Sequence, residues 1–187
     1  MAETLDLSHH LLIAMPALAD DNFRQTVSYV CEHGEQGALG VIVNRPLDVR
    51  LGDLLEQVGL KPATDAIAGQ PVYGGGPVQQ NACLILHRPL GRWDSTLPVT
   101  AEIGLTGSMD LLASIARGVG PDDFLVCLGY AGWGAGQLEQ ELADNAWLTA
   151  PASARMLFEL PADQRWRAAA ASIGVDLALL AGRAGHA

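Results

Sequence analysis

Val27-Ser28-Tyr29-Val30-Cys31-Glu32-His33-Gly34-Glu35-Gln36-Gly37-Ala38-Leu39-Gly40-Val41-Ile42-Val43-Asn44-Arg45-Pro46 is the stretch that decides the fold. Val27, Tyr29 and Cys31 alternate with Ser28 and Glu32, the period of two that places every second side chain on one face of a strand. Gly34 to Gly37 supplies a bend, and Leu39 to Val43 returns as a β-branched apolar strand. Asn44-Arg45-Pro46 ends it, since proline cannot donate to a ladder. A hairpin is antiparallel, so a purely parallel, doubly wound sheet is excluded.

Working outward, His10 to Met15 reads as a short buried strand that stops at Pro16, followed by a polar turn through Asp20, Asp21 and Asn22. Leu51, Leu54, Leu55 and Val58 fall at helical spacing, with Gly59 and Pro62 as terminators. Pro71 to Tyr73 and Ala82 to His87 read as strands on either side of Gly74-Gly75-Gly76-Pro77, and Val99 to Leu105 as a further strand. Ser108 is placed to cap a helix whose Leu111, Leu112 and Ile115 face inward, closed by Gly118. Phe124 to Leu128, the most hydrophobic strand candidate, feeds a glycine-rich turn from Gly129 to Gly136 and then a helix with Leu138 and Leu142. Beyond Trp147 the chain reads as helical, with Pro151 suited to a first turn and Asp163 to Ile173 rich in alanine. The pattern is α+β, with a mixed and strongly bent sheet. Neither a repeat nor a linker divides residues 1–187, so a single domain is expected.

The 187 residues are 49% hydrophobic and 17% charged, which excludes disorder and allows a substantial core. Eleven basic residues against 21 acidic ones leave a net charge of -10, and Lys61 is the single lysine. Duplex binding neutralises phosphates with lysine and arginine, so this balance argues against direct nucleic-acid binding. Leu11 to Ala19 imitates a secretory core with an Ala17-Leu18-Ala19 cleavage pattern, but Glu3 and Asp6 precede it where a signal peptide carries positive charge. The uncharged segment Phe124 to Leu138 carries four glycines that disfavour a spanning helix. Cys31, Cys83 and Cys127 are odd in number and widely spaced, as suits reduced core thiols. A cytoplasmic protein without membrane attachment is the expectation.

Several patterns for chemistry fall short. From Gly134 and Gly136 the third glycine of a dinucleotide fingerprint would be Glu139, whose carboxylate repels a pyrophosphate, and Lys61 lies far from any phosphate loop. Cys31 with His33, and Cys83 with His87, share strand faces without compact zinc spacing, so no metal is expected. Neither a G-x-S-x-G elbow nor a cysteine in a recognised catalytic setting occurs, and no cofactor is expected. The polar cluster that remains is His33 before one bend, Asn44 and Arg45 at the other end of the hairpin, and Gly74, Gly75 and Gly76. Arg45 could offer a planar fork, and the glycine amides further donors, to a small anionic ligand. The competing reading is that Arg45 pairs with an acidic neighbour and Asn44 closes a turn. Trp93 and Trp166, in arginine-containing contexts, are candidate interface anchors.

His10 to Pro16, Asn22-Phe23, Val30 to His33, Gly37 to Pro46, Val72 to Val78 and Leu86-His87 resemble, in order, blocks of the AlgH/YqgE family of bacterial proteins. Gly129 to Glu139, Asn145 with Trp147-Leu148, and Gly185-His186-Ala187 extend the resemblance over nearly the whole chain; Ala17 and Leu39 depart from the glycine and methionine expected there. The resemblance implies a cytosolic protein whose bifurcated mixed sheet partly closes into a small barrel surrounded by helices. It also brings a label of transcriptional regulator, but neither an assigned activity nor a ligand or catalytic residue. Set against the charge, that label implies action through a protein partner or a small anionic ligand, with an enzyme or metabolite-binding protein as the alternative and direct DNA binding third.

Overall fold

The computed structural model describes residues 5–184; the matched block Gly185-His186-Ala187 lies outside them. In chain order the elements are β1 (His10–Ala14), β2 (Val27–Gly34), β3 (Gly37–Ile42), β4 (Pro46–Arg50), α1 (Leu51–Gln57), α2 (Asp65–Ala68), β5 (Pro71–Gly74) and β6 (Val78–Arg88). There follow β7 (Thr96–Pro98), β8 (Gly104–Thr106), α3 (Met109–Ala116), β9 (Asp123–Gly134), α4 (Gln137–Ala143), β10 (Trp147–Pro151), a π-helical turn at Arg155–Glu159, α5 (Ala162–Ala171) and α6 (Leu177–Ala184). The α+β class read from the sequence is the class observed. The sheet is mixed, because β5 runs parallel to β9, and it branches at β9, which pairs with β5 and β6 along its first part and with β3 through Ala131 to Gly134. The chain divides into two compact units, one running to Asn44 and resuming at Ala131, the other spanning Arg45–Tyr130.

In the first unit the strand order is β10-β1-β2-β3-β9, all antiparallel. Alternation in β2 is interrupted at Cys31: Val30 pairs with Gly40 and Glu32 with Leu39, so a bulge takes up one residue. One face buries Leu7, Leu12, Val30, Trp133, Leu138 and Trp147. Phe23 joins Trp147 edge-on at 5.4 Å, and Trp133 meets Trp147 edge-on at 6.2 Å, the arrangement that ring quadrupoles favour. Ala169 and Ala170 of α5 are buried, and the Trp166 Nε1–H donates to the Ala14 carbonyl at 2.9 Å, so Trp166 is a half-buried anchor within this unit. Arg165, almost fully buried, donates to the Leu160 carbonyl at 2.9 Å and to the Val43 carbonyl, tying the end of the π-helical turn to the end of β3.

In the second unit Leu51, Leu54 and Leu55 of α1 and Leu111, Leu112 and Ile115 of α3 pack with Val72, Ile85 and Val126 of the strands. Each such side chain contributes roughly 1.5–3 kcal/mol on burial. Val58, read from sequence as part of the α1 apolar face, is instead 42% exposed just past the helix end.

Several segments differ from the sequence reading: β4, α2 and β7 are elements it did not contain, β6 begins at Val78 rather than Ala82, and four further differences have a local cause. Val99 to Leu105 is not one strand: the Val99 and Thr100 amides both donate to the Ile103 carbonyl and Thr100 Oγ1 accepts from Glu102 and Ile103, folding a turn between β7 and β8. The stretch from Gly129 to Gly134 is the second half of a strand rather than a turn, and the bend is confined to Ala135 and Gly136. Its glycines serve close approach: a Cβ on Gly129 would lie 2.5 Å from the Gly76 carbonyl oxygen. Residues after Trp147 form β10 before any helix, because Trp147 to Pro151 pair with Ala14 to His10 and place proline at the strand end, where a donor is dispensable. Ser108 stands at the N-cap of α3, but Asp110 does the capping; the Ser108 hydroxyl donates to Asp110 Oδ1 at 2.5 Å and accepts from the Ser95 amide.

Candidate functional site

His33 closes β2, and its two ring nitrogens have unlike partners. The Leu7 amide, which can only donate, reaches Nδ1 at 3.1 Å, while Glu139 Oε1 lies 2.6 Å from Nε2. Nδ1 therefore carries the lone pair and Nε2–H donates to the carboxylate, which fixes the neutral tautomer. The His33 side chain is 1% exposed and that of Glu139 43%. Glu139 sits in the first turn of α4, where its own amide and the His33 bond hold its carboxyl below the usual range. A cavity of about 380 Å³ opens here, lined by Leu5, Asp6, His33, Gly34, Glu35 and Glu139. Three carboxylates line this wall, a setting that favours cations over anions.

Asn44 is at the far end of the same hairpin. Its Oδ1 accepts from the Val27 amide and its Nδ2 donates to the Gln25 carbonyl, both at 2.9 Å, so it closes the turn into β2. Val27 and His33 are six residues apart along β2, about 20 Å at strand rise, so His33 and Asn44 are not brought together.

In the second unit Arg45 and the glycines do meet through the backbone. The Gly74 amide donates to the Arg45 carbonyl and the Gly75 amide to the Leu128 carbonyl, each at 2.8 Å. Those two amides are thus engaged by the fold. Gly76 takes φ 151°, a left-handed-side conformation open to glycine, and its carbonyl faces Gly129.

His87 shows the same double engagement. Its Nδ1–H donates to the Pro89 carbonyl at 3.0 Å and its Nε2 accepts from the Thr106 hydroxyl at 2.7 Å; Thr96 in turn donates to Thr106 at 2.7 Å. Burial pushes the His87 imidazole below its usual range, opposed by the Pro89 bond. Cys31 and Cys127 are buried, and burial pushes the half-buried Cys83 thiol up to about 11. Among the described residues no group of three or more His, Cys, Asp or Glu side chains is arranged to hold a metal ion. Arg88 pairs with Asp123 through Nε and Nη2 at 3.0 and 2.7 Å. With Arg165 buried as well, two of the arginines that could have formed a basic face are held by the protein.

Sequence reasoning missed two features. The His33–Glu139 pair spans 106 positions, and only the strand-then-helix return after Gly136 brings it together. Glu141, on the same helix, is partly buried: desolvation and Asp20 push its carboxyl above the usual range, while the indoles of Trp133 and Trp147 oppose the shift. Its Oε2 and the Trp147 Nε1–H are both buried, near enough for the indole to bear on the carboxyl but outside hydrogen-bonding geometry.

The branched mixed sheet with its helices places the chain in a class of α+β proteins already represented among solved structures. AlgH from Pseudomonas aeruginosa superposes with a TM-score of 0.80 at 48% identity, covering 100% of this chain and 99% of that one. Protein DIP2367 from Corynebacterium diphtheriae shares the fold at 20% identity, with a TM-score of 0.75 over 97% and 94% of the two chains. A UPF0301 protein of Thioalkalivibrio sulfidiphilus is 53% identical over the full length of both chains, and one of Azoarcus sp. is 54% identical over 97% of each. The AlgH-like family model matches residues 11–178, and the chain belongs to that family. Among the described residues no helix is long and apolar enough to cross a membrane.

Proposed function

We propose that the protein is a non-catalytic cytoplasmic regulator that acts indirectly, through a partner protein. The observation that carries this reading is the double engagement of the side chains best suited to chemistry. Both nitrogens of His33 and both nitrogens of His87 are bonded within the protein, and so are both ends of the Asn44 amide. A general base needs a lone pair directed at a substrate proton, and these imidazoles direct theirs at a backbone amide and a threonine hydroxyl. The net charge of -10 favours a protein partner over a polyanion.

Affinity capture from native lysate, with identification of both the proteins and the small molecules retained, tests the reading. A partner recovered in stoichiometric amount supports it. Retention of a small anion whose stabilisation of the protein is abolished by Arg45→Ala would favour a ligand-operated protein instead. Sequence-specific DNA binding by the purified protein at about nanomolar affinity, the range of true operators, would overturn it.

A further inference from the structure

We propose that His33 is an acid-sensitive latch for the N-terminal strap, residues 5–8, which is held closed only while the imidazole is neutral. The strap lies against the sheet by few bonds. Leu7 is buried in the apolar cluster with Trp133, Leu138 and Trp147, and its amide donates to His33 Nδ1. The Ser8 amide turns back to Asp6 Oδ1 and the His10 amide to the Leu7 carbonyl, so both bonds are local. Among the described residues the Leu7–His33 bond is the hydrogen bond that joins residues 5–8 to β2; the next residue, His9, is pinned there by its amide on the Val30 carbonyl and its Nδ1 on the Tyr29 hydroxyl.

An amide N–H cannot become an acceptor. When a proton occupies Nδ1, two N–H groups face each other across 3.1 Å, and the ring, 1% exposed, cannot turn away without lifting what covers it. Charging a buried imidazole needs a counter-charge, and the Glu139 carboxylate supplies one 2.6 Å from Nε2. Asp6 on the strap, Glu35 at the β2–β3 turn and Glu139 on α4 all line the cavity and favour the cation, while His10 at the start of β1, which like His33 acts on Asp6, opposes it when charged. The acid form thus exchanges the Leu7 bond for a stronger ion pair with Glu139. Lifting the strap withdraws Leu7 and uncovers apolar surface around Trp133 and Leu138, an acid-exposed contact face that the neutral protein lacks.

The test is amide exchange and imidazole titration by NMR on the full chain between pH 7.5 and 5.0, with exchange expressed as protection relative to the intrinsic rate at each pH. The Leu7 amide is expected to lose protection about tenfold, the worth of one such hydrogen bond, in step with protonation of His33. His33→Asn keeps an acceptor near the Nδ1 position and cannot titrate, so Leu7 should stay protected throughout. His33→Gln keeps a donor toward Glu139 but loses the acceptor, so Leu7 should be exposed at every pH. Glu139→Gln should move the release to lower pH. Unchanged Leu7 protection in the unaltered protein after His33 has titrated, or a His33 that stays neutral down to pH 5.0, would overturn the proposal whatever the variants do.

Discussion

Gly129→Ala is the substitution whose cost can be worked most directly from the geometry. Gly129 has φ +78°, and a Cβ built there lies 2.5 Å from the Gly76 carbonyl oxygen, 3.1 Å from the Val78 carbonyl oxygen and 3.2 Å from the Gln80 Cα. Two effects add. Holding an alanine at that φ costs roughly 1–2 kcal/mol. Relieving backbone contacts that short requires the strand crossing to open, a shift of the kind that costs typically 1–3 kcal/mol in a packed interior. Gly136 separates the two, because it has nearly the same φ, +74°, and nothing within 4 Å of its Cβ position. Gly136→Ala should therefore show the conformational cost alone. The difference between the variants, about 2 kcal/mol, corresponds to about 4–8 °C in thermal midpoint for a chain of this size, well within reach of calorimetry. Equal destabilisation by the two substitutions would show that the close approach of Gly129 to Gly76 carries no energetic weight, and would refute this account of why the strand is glycine-rich.

Glu141→Gln should stabilise the protein at pH 7 by about 1 kcal/mol, the scale of relieving a poorly paired buried polar atom. The sign follows from its raised carboxyl: whatever stability that group contributes is present below its unfolded value, about 4.5, and is lost as pH rises through the folded value, so the advantage of glutamine should vanish in acid. Thermal midpoints of the two proteins at pH 8 and pH 4 check this, and an equal difference at both would contradict it. Thr106→Val removes the donor to His87 Nε2 and the acceptor for Thr96, and should cost roughly 1–3 kcal/mol by urea unfolding. Arg88→Ala breaks a pair whose side chains are 34% and 27% exposed, and should cost no more than about 1 kcal/mol, less at high salt.

The hairpin at the start of the chain was legible because its two strands are adjacent in sequence and joined by a glycine-flanked bend; the side chains from Val27 to Cys31 are in fact buried on both faces, so the apolar and β-branched content marks these strands more than any alternation does. The later strands were less so, for physical reasons. β9 carries Gly129, Gly132 and Gly134, which locally read as a turn, yet Gly132 pairs with Leu39 and Gly134 with Gly37. A glycine chosen so that another backbone can approach looks, in one dimension, like a glycine chosen for a bend. β10 was hidden by Pro151 and by its alanine-rich sequel, and only pairing with β1, more than 130 residues earlier, makes it a strand.

The candidate site was legible in its residue types and not in its partners. His33, Asn44, Arg45 and the glycines from Gly74 to Gly76 were picked out as polar groups at strand ends, which is where the structure has them. An isolated strand, however, cannot tell an imidazole that awaits a ligand from one whose two nitrogens are already occupied. That distinction comes from Leu7, which is apolar and contributes only its amide, and from Glu139, which the sequence presented as an obstacle to phosphate binding. The carboxylate that spoils a nucleotide loop is the group that holds the His33 tautomer. A backbone donor leaves no mark on side-chain chemistry, so the chemically decisive contact at this site is the one that residue identity cannot encode.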